Sequence, residues 1–282
     1  MPIKNIFSID VEEYYHVIDD FVVPTPEKWD ALPSRVENNF HELLDLLDKW
    51  NTKATCFFLG YVAQKHPDLV KEAHDRGHEI ASHGMYHELV TSLTRERFLN
   101  DIQSSKKLLE DLIGHPVVGY RAPAFSVLNE NKTFFPDLAQ SGYRFDSSIF
   151  PAKRDFGGYT TDNLAPFQIK TEFGTVTEFP ITVVNLFHKR LCVFGGGFLR
   201  LFPMPMIDVL SKKVNKENRP VVYYIHPREI DPDHPRMNLT RMRYFKSYVN
   251  LKTTYPKLNA ILKTKNCGTF TMYMNDKGLN HE

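Results

Sequence analysis

Apolar residues recur along this chain with two periods, and the two alternate. Residues 3–9 are short, apolar and rich in β-branched side chains, which predicts a strand. In the next periodic stretch Val36, Phe40, Leu43, Leu44 and Leu47 form a stripe at helical spacing, with Ser34 as N-cap and Glu37 three residues on completing a capping box. Residues 54–59 predict a second strand, 68–76 a helix ending at Gly77, and 78–82 a short third strand. Thr94 caps a helix with Phe98, Ile102, Leu109 and Leu112 turned inward and Gly114 at its end, before a strand at 117–120. Further strands are expected at 143–146, 176–179 and 221–225. Repeated units of this kind argue for parallel strands covered by helices, in an open doubly wound sheet or a barrel.

The polar residues change the picture. Asp10, His83, Arg121, Asp146 and His226 each fall at the end of a predicted strand, where parallel barrels place their chemistry. His83 and His87, in Ser82-His83-Gly84-Met85-Tyr86-His87, have a metal-ligand spacing if they share one face of a helical turn. Two imidazoles make an incomplete site, and the strand end at Asp10 and Glu12 offers the acidic ligand. Alternation aims both of these carboxylates at one face and Val11 at the other, so one can bind metal while its neighbour takes a proton; Glu13 competes with Glu12 for the ligand role. Arg121, in Tyr120-Arg121-Ala122-Pro123, can anchor a loop or hold a carboxylate in one orientation. Asp146, before Ser147 and Ser148, can cap a helix or orient a histidine, and His226 is either structural or a general acid.

Composition narrows the partners. The net charge of +1 provides no basic stripe for nucleic acid and no acidic tail. The N-terminus reaches Asp10 before an apolar export segment can form, and no run of eighteen apolar residues follows. Cys56, Cys192 and Cys267 are too scattered for a disulfide framework, so a cytoplasmic protein without a transmembrane segment is expected. At 282 residues with no Gly/Ser-rich linker, one domain is favoured.

The motifs, in order, resemble those of the polysaccharide deacetylases of the NodB-homology group, carbohydrate esterase family four. Asp10-Val11-Glu12 looks like the first motif, His83 and His87 match the second, Arg121-Ala122-Pro123-Ala124-Phe125 the third, Asp146 the fourth and Ile225-His226 the fifth. Residues 8–16, 77–87, 195–198 and 243–251 look like the subgroup associated with bacterial exopolysaccharide loci. There are departures. The commoner first motif has adjacent aspartates, Phe150 stands where a tryptophan is expected with the fourth, and Arg228 stands where an aromatic is expected after the fifth.

The resemblance implies an irregular (β/α) barrel over residues 1–282, with 235–282 a family-specific C-terminal helical extension. It implies hydrolysis of an N-acetyl group on an amino sugar of a glycan or glycolipid, with a divalent metal on Glu12, His83 and His87. Zinc is the first choice, although the ligand set also suits iron or cobalt. Asp10 is then the base, oriented by Arg121, and His226 the acid, oriented by Asp146. Substrate contacts are expected from Tyr14, Trp29, Phe125, Gly196, Gly197 and Phe198, with the loop at 19–32 and the flexible glycine run at 195–198 able to wrap a sugar. The competing readings are hydrolysis of a non-sugar amide and a non-catalytic sugar-binding protein.

Overall fold

A computed structural model describes residues 5–18, 25–152, 157–186 and 189–279. The chain begins with strand β1 (Asn5–Val11) and continues through α1 (Pro26–Trp29), α2 (Val36–Lys49), β2 (Thr55–Phe58), α3 (Gly60–Lys65), α4 (Pro67–Asp75), β3 (Glu79–Ser82) and α5 (Arg95–Ile113). Next come β4 (Gly119–Tyr120), α6 (Phe134–Gln140) and β5 (Phe145–Asp146), then two hairpins, β6 (Phe167–Thr171) with β7 (Gly174–Glu178) and β8 (Val184–Leu186) with β9 (Lys189–Leu191). The remaining elements are α7 (Gly196–Leu201), α8 (Met204–Lys216), β10 (Val222–Ile225), α9 (Arg241–Tyr248), α10 (Thr254–Thr264), β11 (Cys267–Gly268) and α11 (Phe270–Lys277). All the expected strands form; Ile3 and Lys4 lie outside the described residues.

Among the described residues nine strands make one sheet in the order β10-β1-β2-β3-β4-β5-β7-β6, with β11 also paired to β1. Every pairing in it is parallel except β6 with β7. The sheet curls into an incomplete barrel. Irregular chain fills the gap between β7 and β10: Ile181 N donates to Ile149 O, Val222 N to the Thr182 hydroxyl, and Gly195 bridges to Tyr224. An irregular (β/α) barrel is therefore the observed fold, within a single domain.

Strand alternation sorts side chains into two cores. Outward residues such as Ile9, Cys56, Ile80 and Tyr120 pack beneath helices that include Phe40, Leu43, Phe98, Ile102 and Leu109, each burial worth about 1.5–3 kcal/mol. Inward residues Ile6, Phe57, Ala81, Phe145, Val222 and Tyr224 fill the barrel, and Phe270, Tyr273 and Met274 of α11 join them. Residues after 235 thus supply both a strand to the sheet and part of the interior packing. Thr94 accepts a hydrogen bond from Arg97 N, and Gly114 ends α5 in the left-handed conformation at φ 68°, where a side chain would be strained.

The start of α2 departs from expectation. Its N-cap is Arg35, with no side-chain cap of its own, and Ser34 donates to Glu13. The Glu13 carboxylate accepts from the backbone N–H of Arg35 at 3.0 Å and of Val36 at 3.2 Å. A full negative charge satisfies a helix N-terminus better than the serine hydroxyl can, so a residue from after β1 takes over the cap.

Candidate active site

The C-terminal ends of β1, β3, β4 and β10 converge on a cavity of about 430 Å³, within the usual range for small-ligand sites. Asp10 and Glu12 share the inward parity of Ile6 and Ser8, so both carboxylates reach its floor. His83 follows β3 with the inward parity of Ala81. His87 lies in a loop and not on a helical turn, a correction with a clear cause. Gly84 has φ +74° and His87 φ +56°, and the carbonyls of Gly84 and Met85 accept from Gly60 N and Tyr61 N at the start of α3. The backbone groups a helix would use are already taken.

The imidazoles nevertheless meet. Glu12 Oε1 lies 2.9 Å from His83 Nε2 and 3.1 Å from His87 Nε2. Burial raises the Glu12 carboxyl, but the charges of His87 and His226 and hydrogen bonds from the histidine pair outweigh it and hold the group well below the usual carboxylate range. His83 Nδ1 is 2.7 Å from the Arg121 carbonyl, so that nitrogen carries a proton. A neutral His83 therefore turns the lone pair of Nε2 toward a carboxylate oxygen, and two acceptors at 2.9 Å need a cation or a shared proton between them. The three ligand atoms lie within 4.8 Å of one another, and this donor set fits a divalent ion.

Beside them, Arg121 is wholly buried and donates to Asp10 Oδ1 at 2.5 Å and to Ser8 Oγ at 3.0 Å. Its guanidinium also donates to Ser147 and sits 4.1 Å above the Phe57 ring. Asp10 Oδ2, turned away from the guanidinium, lies 3.8 Å from His226 Nε2. Burial pushes His226 down to about 4, against the upward pull of Glu12.

Asp146 does not orient His226. It is paired across the sheet with Glu178 and with Tyr120, on the parity opposite to the inward Phe145, and its carboxylate accepts from Ser148 N and Oγ. Burial raises the pKa of both Asp146 and Glu178, and their mutual charge raises Glu178 further. The orienting contact comes instead from Glu229, whose Oε1 is 2.8 Å from His226 Nδ1 and whose other oxygen is ion-paired with the buried Arg200.

The expected substrate contacts divide. Phe125, Gly196, Gly197 and Phe198 line the cavity. Tyr14 does not, being buried against Tyr15 and His234. Trp29 packs on His16 and Tyr61 and lines an adjoining depression that shares His16 and His87 with the cavity. Residues 19–24 of the expected loop lie outside the described residues. The glycine run is no flexible loop: Gly195 caps α7, and a Cβ there would meet the Tyr224 ring at 2.2 Å, while one on Gly197 would meet Lys246 O at 2.7 Å.

Sequence reading missed His16, Glu229, Arg200 and Arg190, all of which line the cavity. His16 accepts from Glu13 N at Nδ1, so its neutral ring presents Nε2–H; burial keeps the ring well below the usual histidine range. The signal for Glu229 was its place three residues after His226, a spacing that one tight turn brings together. Backbone strain points to the same place. Six described non-glycine residues have positive φ; three are asparagines, and the other three, His87, Ala124 and Phe125, all line this cavity.

Residues 28–145 match the family described as polysaccharide deacetylase, and residues 147–275 match a domain of unknown function, DUF3473. A peptidoglycan-N-acetylglucosamine deacetylase of Bacillus cereus is 33% identical over 103 residues, covering 36% of this chain and 46% of that protein. Chitin deacetylase 2 of Cryptococcus neoformans is 31% identical over 192 residues, covering 66% of this chain and 41% of that protein. The chain thus spans less than half the length of these relatives. A Mycobacterium smegmatis structure assigned to the polysaccharide deacetylases superposes with a TM-score of 0.62 at 17% identity, covering 98% of this chain and 90% of that one, which is a likeness of fold.

Proposed function

Because residues 28–145 match the polysaccharide deacetylase family, we propose that the chain is a metal-dependent hydrolase removing N-acetyl groups from an amino sugar of a polysaccharide or its precursor. One observation carries the reading: a Glu12–His83–His87 ligand cluster stands in one cavity with Asp10, held from behind by the buried Arg121, and with the His226–Glu229 pair. A divalent ion on those ligands, zinc in this proposal, supplies Lewis-acid polarisation of the acetyl carbonyl and of water.

The chain's own residues handle the proton. Asp10 Oδ2, free of Arg121, accepts it from the attacking water, whose oxygen bonds to the acetyl carbon. His226 starts neutral, with Nδ1–H held by Glu229 and Nε2 open toward Asp10. It takes the proton from Asp10 and delivers it to the amine nitrogen as the C–N bond breaks, so acetate and a free amino sugar leave. The amine is a poor leaving group unless protonated, which is why an acceptor and a donor must face the same carbon from within about 4 Å of each other.

Exopolysaccharide as the pathway and the cytoplasm as the compartment belong to the same proposal. Three free, buried cysteines accord with a reducing compartment, and no described helix is long and apolar enough to cross a membrane. Metal analysis of the purified protein, with acetate release from a panel of N-acetylated sugars, tests the reading. A bound divalent ion and acetate release from at least one amino sugar are expected; neither would be seen in a non-catalytic sugar binder.

A further inference from the structure

Arg228 follows His226 and Pro227 in the short turn Pro227–Ile230 and lines the cavity. Its Nε and Nη1 are enclosed and make no hydrogen bond. Two other arginines of the cavity are committed: Arg200 to Glu229 and to the carbonyls of Lys246 and Val249, Arg190 to Asp162 and to the carbonyls of Pro151 and Thr161. Arg228 as a whole is half-buried, but donors withdrawn from water, as these two are, are costly unless paired.

Among the described residues, the carboxylates nearest to it are engaged elsewhere. Glu12 attracts Arg228 but is engaged by His83 and His87, and Glu229 is engaged by Arg200 and His226. Arg243, which lines the same cavity, adds positive charge next to it. A divalent ion on Glu12 would offset the attraction of that carboxylate for Arg228. The cavity therefore holds a planar donor fork, one turn from the proposed proton carrier, without a dedicated counter-charge among the described residues.

We propose that Arg228 forms an anion subsite beside the scissile amide, so that the substrate is an acidic glycan bearing a carboxylate or phosphoryl oxyanion on or next to the N-acetylated sugar. This rests on the proposed function. Guanidinium forks match both oxyanions bidentately, and a neutral chitin-like chain would leave the fork unpaired.

The test is binding of three ligands to the full chain, followed by ligand NMR, which reads binding and acetate release separately. The ligands are a neutral N-acetylglucosamine tetramer, a tetrasaccharide alternating N-acetylglucosamine with glucuronic acid, and N-acetylglucosamine 1-phosphate. At least one acidic ligand should bind roughly tenfold or more tightly than the neutral one, the size of a charge-assisted hydrogen-bond pair. The arm that shows this identifies the oxyanion. The advantage should shrink between about 50 mM and 500 mM salt and fall to about unity in Arg228→Gln. Equal or better binding of the neutral ligand, or a full acidic preference in Arg228→Gln, overturns the subsite. If that variant fails to fold, Arg228→Lys decides on the same ratio: an intermediate preference supports the subsite and an unchanged one overturns it. Acidic preference without acetate release from any sugar would remove the proposed hydrolysis and leave the subsite, and acetate release without preference does the reverse.

Discussion

Glu229 Oε1 lies 2.8 Å from Nδ1 of His226, within one turn of chain, and so decides which ring nitrogen carries the proton. With Nδ1–H donated to the carboxylate, Nε2 is left open toward Asp10. Glu229→Gln should lower kcat by roughly 10- to 100-fold, as loss of an orienting partner does. Asp146→Asn should cost less in kcat, because its side chain serves Ser148 and Glu178. Both rates are to be compared at a temperature where thermal melts show each variant folded. The opposite ranking would return the orienting role to Asp146.

The adjacent acids Glu12 and Glu13 separate metal binding from stability. Glu12→Gln should strip the metal, measured by elemental analysis of the dialysed protein. Glu13→Gln should retain it and lower stability by about 1 kcal/mol, the usual worth of a helix cap, because it weakens the cap on α2. Stoichiometric metal in the Glu12 variant would dismantle the ligand set.

His83→Ala or His87→Ala should likewise abolish bound metal and acetate release while leaving a cooperative thermal transition. Both rings sit at the mouth and outside the two apolar cores. Retained metal in either variant counts against the site.

Asp10→Asn and His226→Ala should each keep the metal yet lose roughly 10²–10⁴-fold in kcat, the usual contribution of a positioned proton-transfer group. Near-normal kcat in His226→Ala would mean that the amine takes its proton elsewhere.

A pH effect on stability should arise far from the cavity. His78 is buried, accepts from Ala54 N at Nδ1, and is pushed by burial down to about 4. Since its folded pKa lies below the unfolded value, its neutral form supports folding fully above about pH 6.5, and that support is lost as pH falls from there through about 4. That separation amounts to roughly 3 kcal/mol at the acid end. Denaturant melts across this window should show the decline in the parent chain and a shallower one in His78→Asn. Parallel curves would exclude His78 as its source.

Much of the site could be read before any coordinates, because period-two alternation acts locally. Asp10 and Glu12 point together into the barrel while Val11 faces the helices, and the strand ends carry His83 and His226 to one cavity, with Arg121 buried behind Asp10. What could not be read depends on register between strands and on loop backbone. The partner of Asp146 is Glu178, thirty-two residues on in a strand whose alignment only the folded sheet defines. The cap of α2 comes from Glu13, across a segment with no regular spacing to betray it. Tyr14 is aromatic and next to the first motif, but its neighbours Tyr15 and His234 bury it, and burial of that kind is set by elements more than two hundred residues apart.

Strand β1 carries Asp10 and leads directly into Glu12, and its backbone is shared among β2, β10 and β11. Its first neighbour follows within about fifty residues, but the others arrive only at Val222–Ile225 and Cys267–Gly268. Chain emerging in order must therefore hold an apolar, half-paired strand for most of its synthesis, and pairing across such sequence distances is slow because loop closure precedes the reward. A product halted before residue 267 would lack that last partner together with the Phe270–Met274 interior plug. The same strand that sets the chemistry is thus where an interrupted chain would be most exposed to self-association.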